Sequence, residues 1–322
     1  MKKRCVALSI TGMLVIAVWA TGQDAPNALR FPAPARLVAI GDLHGDVAAA
    51  RRALRLGGAI DESDRWIGGE LVVVQTGDQL DRADSEIALL DLLDRVTTQA
   101  AAAGGALHVL NGNHEFMNVQ EKMGNVTAGG FAAFRGMPGL DLNRPEVMTH
   151  PEPERARRAA FTPAGPFALR LARRNVVAVV GNTVFVHGGV LPPAIVYGLS
   201  RLNEESRQWL RGERAEPPEI LLSRFGPVWS RHYSDGPSEA DCALLGRTLR
   251  RTGAARMVVG HTIQQQGINA KCGGTVWCID VGLSSCFGGP TQVLEIIGDE
   301  ARVLVPPAAL PDQSAPSAIA RP

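Results

Sequence analysis

Gly41-Asp42-Leu43-His44-Gly45-Asp46 follows an unbroken apolar run, Leu37-Val38-Ala39-Ile40. The junction reads as a short buried strand that ends in metal-ligand chemistry. Alternate residues of an extended segment face the same way, so one cation can touch both Asp42 and His44. Asp46 is placed to cap the next helix, expected over Val47 to Leu56, an alanine- and arginine-rich run that stops at Gly57-Gly58. A single D-x-H triplet is also an ordinary loop sequence. Its weight comes from recurrence downstream.

The same order of strand, glycine and polar ligand appears twice more in the next seventy residues. Leu71 to Thr76 is a second buried strand and delivers Gly77-Asp78-Gln79-Leu80-Asp81-Arg82. Ser85 to Ala103 then reads as an amphipathic helix carrying Ile87, Leu89, Leu90, Leu92, Leu93 and Val96, and stops at Gly104-Gly105. Ala106 to Leu110 is a third strand and delivers Asn111-Gly112-Asn113-His114-Glu115. A β-α-β-α-β order implies right-handed crossovers and parallel strands. Ligands of such sheets bind at the carboxyl ends of the strands, where each motif lies. Asp42, His44, Asp78, Asn113 and His114 are therefore expected in one crevice.

Phe116 to Asn175 lacks strong strand signals, with candidate helices at Glu152 to Arg158 and near Phe167 to Arg174. It reads as an insertion leaving the strand end that holds the site, either a lid or a peripheral excursion. Val176 to Val180, Gly181-Asn182 and Thr183 to Val186 form a β-hairpin pattern whose second strand delivers His187-Gly188-Gly189. Helices are expected around Leu202 to Leu210 and over Glu239 to Arg251. Met257-Val258-Val259 delivers Gly260-His261-Thr262, and closing strands are expected at Val276 to Val281, Gln292 to Ile297 and Arg302 to Val305. From Pro306 to residue 322 the chain is rich in proline and alanine and reads as a disordered tail.

With 322 residues, 45% hydrophobic and 20% charged, the chain can build a substantial core. A formal net charge of +1 argues against a nucleic-acid protein working through a broad basic surface. Lys2, Lys3 and Arg4, an apolar run from Cys5 to Ala20, and the small residues Ala20-Thr21-Gly22 have the order of a secretory signal peptide over residues 1–22. The run is short for a membrane span; an uncleaved anchor is the alternative. The mature chain is then exported, periplasmic or extracellular, with residues 23–36 as lead-in, a single domain over 37–305 (116–175 being the insertion) and no membrane span. Cleavage leaves Cys242, Cys272, Cys278 and Cys286. An oxidising compartment permits disulfides, and Cys272 and Cys278 flank a Gly273-Gly274 turn across which they can pair; free buried thiols are the alternative.

The chain has seven histidines, and His44, His114, His187 and His261 all stand at strand ends beside glycine. His, Asp and Asn ligands without cysteine suit divalent Mn, Fe or Zn, and six of them suit two ions rather than one. Two ions about 3.5–4 Å apart can hold a hydroxide between them and clamp a phosphoryl group. In that arrangement Asp78 bridges, His114 is free to protonate the leaving oxygen, Asp81 can pair with His114, and Arg82 offers a planar fork to phosphate.

Gly41 to Gly45, Gly77 to Arg82 and Gly112 to Glu115 resemble the three-part signature of calcineurin-like metallophosphoesterases, and His187-Gly188-Gly189 and Gly260-His261-Thr262 resemble the later motifs of the phosphoprotein phosphatase branch. Phe225 to Tyr233 and Asp280-Val281-Gly282-Leu283 further resemble the bacterial-type, Shewanella-like protein phosphatases. The resemblance runs from about Leu37 to Val305. It implies an α/β fold, a four-layer α/β/β/α sandwich, to which the 116–175 segment, read from its own residues as a lid in preference to a peripheral excursion, is an insertion. It also implies that Asp42, His44 and Asp78 hold one metal and that Asp78, Asn113, His187 and His261 hold the other. His114 is then the acid oriented by Asp81, and Arg82, Asn113 and, as a candidate, Arg231 contact substrate phosphate. Ile263 stands where many metallophosphoesterases carry a second histidine, which favours the phosphoprotein phosphatase branch. The expected activity is hydrolysis of a phosphorylated protein or small phosphoester. A dinucleotide polyphosphate hydrolase of the diadenosine tetraphosphatase type and a catalytically dead metal-binding scaffold are the competing readings.

Overall fold

The computed structural model describes residues 28–307; the expected signal segment and residues 308–322 of the expected tail lie outside them. Within the lead-in, Arg30–Phe31 forms β1. The three strand-to-motif units follow as β2 (Leu37–Ile40), α1 (Val47–Leu56), β3 (Val72–Gln75), α2 (Glu86–Ala102), β4 (Ala106–Val109) and α3 (Asn113–Val119). The segment after α3 adds α4 (Ala128–Ala132), α5 (Pro145–Met148), α6 (Glu152–Phe161) and α7 (Pro166–Leu171). Then come the hairpin β5 (Val177–Val180) and β6 (Thr183–Val186), and helices α8 (Pro192–Tyr197), α9 (Leu199–Leu210), α10 (Glu219–Leu222) and α11 (Glu239–Thr252). The chain closes with β7 (Arg256–Val259), β8 (Asn269–Lys271), β9 (Val276–Cys278), β10 (Val293–Ile297) and β11 (Glu300–Leu304).

These strands make two mixed sheets, a five-stranded one in the order β11-β10-β2-β3-β4 and a six-stranded one in the order β1-β5-β6-β7-β9-β8. β2, β3 and β4 are parallel, as are β6, β7 and β9. The period of two in a strand sorts the side chains into layers. Ala178 and Val180 of β5 share a core with Val38, Ala39, Val73 and Val74 of the five-stranded sheet and with Ala53, Leu54, Leu89 and Leu93 of α1 and α2. Their neighbours Val177 and Val179 pack instead with Leu202, Leu210, Leu245 and Leu249 of α9 and α11. Helices, sheet, sheet and helices thus stack in four layers. Both faces of the central strands are covered, which is why those strands read as continuous apolar runs rather than alternating ones.

Local signals set the element ends. The Asp46 carboxylate accepts from the Ala49 amide at 2.9 Å and caps α1 as expected, while its other oxygen accepts from the Ser285 amide at 2.8 Å. Ser238 and Asp241 form a capping box on α11, which ends at Gly253 in the left-handed conformation. The hairpin of β5 and β6 turns at Gly181-Asn182, with Val180 opposite Thr183. β9 ends at Cys278 rather than running on to Val281, because the Asp280 carbonyl accepts from the Gln264 amide instead of from a neighbouring strand.

The expected Cys272–Cys278 pairing is corrected. The disulfide joins Cys242 to Cys272, while Cys278 is buried and free and Cys286 is exposed and free. The register explains the difference. Asn269 lies opposite Cys278 in the β8–β9 ladder, so Cys272, beyond Lys271, sits out in the turn and away from it. The first turn of α11 brings Cys242 within reach instead, at a Cα separation of 5.1 Å. A chain beginning at residue 23, denatured without reductant, is expected to expose two reactive thiols; four would contradict the bond. Reduction should lower stability by about 2–4 kcal/mol, read as a shift of the denaturant midpoint.

Candidate metal centre and active site

Every motif-bearing strand end meets in one place. His44, Asp78 and His114 offer ligand atoms within 4.8 Å of one another, and so do Asp78, His187 and His261. Asp78 belongs to both groups. Its Oδ2 lies 3.2 Å from His187 Nε2, 3.8 Å from His44 Nε2 and 3.8 Å from His114 Nε2. Asn113 joins the second group, with Oδ1 2.9 Å from His187 Nε2. Asp42 stands beside the first, its Oδ2 4.0 Å from His44 Nε2, and both its oxygens accept from the His261 amide at 3.2–3.3 Å. The structure therefore gathers Asp42, His44, Asp78, Asn113, His114, His187 and His261, which lie up to 219 residues apart in sequence.

Backbone carbonyls fix which imidazole nitrogen faces the centre. His44 Nδ1 donates to the Leu80 carbonyl at 3.1 Å and His187 Nδ1 to the Thr76 carbonyl at 3.1 Å. Both Nε2 atoms are left as lone-pair donors. Burial lowers the His44 pKa to about 4 and the His261 pKa to about 2, so both rings are neutral ligands at neutral pH. His187 Nε2 lies 2.9 Å from Asn113 Oδ1 and 3.2 Å from Asp78 Oδ2, so three ligand-type atoms converge at one corner. Burial, then Asp280 and Asp78, push the buried Asp42 carboxyl well above its usual range. Converging lone pairs and excess buried carboxylate are what a pair of divalent cations would satisfy, so the donor set fits the metals.

His114 is different. Burial lowers its pKa, but the Asp78 charge and the Asp81 hydrogen bond outweigh that and raise it to about 9. Its Nδ1 donates to Asp81 Oδ2 at 2.5 Å, leaving Nε2 aimed at the centre. Asp78 accepts the His114 amide at 3.0 Å, and although burial opposes it, His187, His114 and His44 hold its pKa well below the usual carboxylate range.

The site is assembled under backbone strain. His44, Asp78, Asp81, Arg82 and His261 all have positive φ, between 41° and 70°. Each such non-glycine residue costs on the order of 1–3 kcal/mol. Glu115, quoted in the third motif but given no role from sequence, holds this geometry. Its two oxygens accept four buried backbone amides: Asp78 at 2.9 Å, Gln79 at 2.9 Å, Leu80 at 3.2 Å and Gly112 at 2.7 Å. Two glycines are required by the close approach of motifs. A Cβ on Gly112 would fall 2.2 Å from Asp78 Oδ1, and one on Gly260 would fall 2.4 Å from Asp42 Oδ1.

Both arginines singled out from sequence reach the rim. The exposed Arg82 guanidinium lies 5.3 Å from the Phe287 ring centroid, and that ring is 5.3 Å from His44. Arg231 Nη1 donates to the His261 carbonyl at 2.7 Å and to Thr262 Oγ1 at 3.0 Å. Sequence reasoning gave no role to Phe287, Glu115 or the buried Asp280. The Glu three residues past Gly112 was a findable capping signal; Phe287 had none.

Comparison with known proteins agrees with this geometry. The calcineurin-like phosphoesterase family model matches residues 35–265. Shewanella-like protein phosphatase 2 of Arabidopsis thaliana is 41% identical over 301 residues, 84% of this chain and 77% of that protein. The structure resembles a solved cold-active protein tyrosine phosphatase with a TM-score of 0.71 at 22% identity, covering 86% of this chain and 78% of the other. It resembles a protein serine/threonine phosphatase of Saccharomyces cerevisiae with a TM-score of 0.55 at 14% identity, covering 89% and 86%.

Two outcomes follow from the site's construction. Gln in place of Glu115 turns an amide NH2 toward two backbone donors; Glu115→Gln should cost on the order of 2–6 kcal/mol in chemical denaturation, and an unchanged midpoint would contradict the role. In chelator-treated protein, the His114 imidazole should titrate near pH 9 by NMR, with a midpoint below 7 as the contrary result. A folded-state pKa above the unfolded value makes this contribution to stability complete below about pH 6.5 and lost as pH rises through about 9. With its motifs converging on a shared carboxylate and its relatives in agreement, the chain belongs to the calcineurin-like phosphoesterases, within the Shewanella-like protein phosphatases, and is a metal-dependent phosphoester hydrolase.

Proposed function

We propose that the chain is an exported phosphomonoesterase that removes phosphate from protein side chains, aryl esters included, with two cations of the Mn, Fe or Zn class. The observation that carries this reading is the position of Asp78, at the shared corner of two acceptor groups and 3.8 Å from the Nε2 of a histidine held by its own carboxylate.

When bound, the cations activate the attacking water and neutralise charge on the phosphoryl group. The protein's residues do the rest. Asp42, His44 and Asp78 would hold one ion, and Asp78, Asn113, His187 and His261 would hold the other. Arg82 and Arg231 clamp phosphoryl oxygens from two separate loops, with Asn113 beside them. His114 gives the proton on Nε2 to the leaving oxygen, while Asp81 on Nδ1 fixes its tautomer and orientation. The half-exposed Phe287 ring, next to Arg82 and His44, offers an apolar wall to an aromatic leaving group. The names of the similar proteins, a protein phosphatase and a protein tyrosine phosphatase, support a phosphorylated protein substrate. The basic-then-apolar N-terminus supports export, and the Cys242–Cys272 bond suits an oxidising compartment.

The test is phosphate release from phosphotyrosine, phosphoserine and phosphothreonine peptides with each divalent metal in turn, against cleavage of dinucleotide polyphosphates. Faster turnover of the polyphosphates would overturn the substrate class. His114→Ala should keep its metals and lose on the order of 10²–10⁴-fold in turnover; unchanged turnover removes His114 from proton transfer. Asp78→Asn should lose bound metal by elemental analysis, and full occupancy would sink its bridging role.

A further inference from the structure

Arg157 of α6 is a fully buried arginine, 76 residues from Asp81 in sequence and in contact with it. A guanidinium has five N–H donors, and all five are used. Nε donates to Asn118 Oδ1 at 2.9 Å. Nη1 donates to the Gly130 carbonyl at 3.1 Å and to Glu86 Oε2. Nη2 donates to Asp81 Oδ1 at 3.2 Å and to Glu86 Oε1 at 2.9 Å. The rings of Phe134 and Phe161 flank the guanidinium, each centroid 5.1 Å away. Asn118 Nδ2 also donates to Asp81 Oδ1, at 2.8 Å. One oxygen of Asp81 thus holds His114, and the other is held by Arg157 and Asn118.

The rest of the 116–175 segment grips the same loop. The Arg82 amide donates to the Asn125 carbonyl at 3.1 Å, and Thr127 Oγ1 donates to Asp84. Asp81 and Arg82 both have positive φ, a conformation that persists only where surrounding contacts over-determine it. Burying a guanidinium costs several kcal/mol unless every donor is matched, so this box is a demanding and specific construction.

We propose that Arg157 is a positioning residue for proton transfer: by fixing the free oxygen of Asp81, it sets the direction in which His114 presents Nε2 to the leaving oxygen. The inserted segment thereby reaches the chemistry through buried contacts. The inference rests on His114 being the general acid.

The experiment compares Mn-reconstituted wild type, Arg157→Lys, Arg157→Met and His114→Ala on two esters, phenyl phosphate, whose leaving oxygen needs a proton, and 2,4-dinitrophenyl phosphate, whose leaving group does not. Both Arg157 variants should bind two metal equivalents and keep KM. On phenyl phosphate kcat should fall about 10–100-fold, short of the on-the-order-of 10²–10⁴-fold ascribed to a whole general acid, and on the dinitrophenyl ester by less than about threefold. Arg157→Lys should lose less than Arg157→Met, since lysine keeps the charge but not the fork. Equal losses on both esters, or none, would overturn the proposal while His114→Ala still discriminated between them. If His114→Ala itself failed to discriminate, the general-acid reading would fall instead. Should neither arginine variant fold, Asn118→Ala removes one bond to the same Asp81 oxygen; it should show the same ester-dependent loss on a smaller scale, and an ester-independent loss there counts equally against the proposal.

Discussion

One carboxylate, Asp78, has to face two groups of ligands at once, and the architecture follows from that demand. It sits on a strand end of the five-stranded sheet, while His187 and His261 arrive from strand ends of the six-stranded sheet. Both groups can reach one oxygen only if the sheets stack face to face with their carboxyl ends together. The shared core of Val38, Val73, Ala178, Val180 and Phe185 holds them in that register. The metal-facing part of the site is therefore a by-product of sheet-on-sheet packing, in which no motif is sufficient alone.

A second constraint is electrostatic. Asp42, Asp78, Glu115 and Asp280 are all buried within one region, and buried carboxylates are costly unless matched. The matches differ in kind. Glu115 accepts from four backbone amides and so fixes the strained turns. Asp42 and Asp78 face histidines and one another, where cations belong. Asp81 is divided between His114 and Arg157. Carboxylates of one chemistry thus face backbone amides, histidines or an arginine, and their environments differ accordingly.

Much of this was legible in the sequence, for a physical reason. Parallel strands buried on both faces leave continuous apolar runs, and the residues just beyond them must lie at one sheet edge, so Asp42, His44, Asp78, Asn113 and His114 could be grouped before any contact was known; His187 and His261, on the second sheet, were marked by standing at strand ends beside glycine like the others. The N-cap role of Asp46 was a local matter and equally readable. What could not be read depends on distant partners. Cys272 has Cys278 nearer in sequence, yet bonds to Cys242 because β8 and β9 hold their own register. Arg157 lies beside Arg155 and the likewise buried Arg158 on one helix, and nothing local marks it as the one fully enclosed. β8 is three residues long and carries Asn269 and Lys271, which give no apolar signature.

The most direct test of the shared-carboxylate design is a crystal structure of the Mn-loaded protein with anomalous scattering at the metal edge. Two metal peaks are predicted, with the Asp78 carboxylate ligating both, His44 on one ion, and Asn113, His187 and His261 on the other. A single peak, or two peaks of which Asp78 touches one or neither, would contradict it.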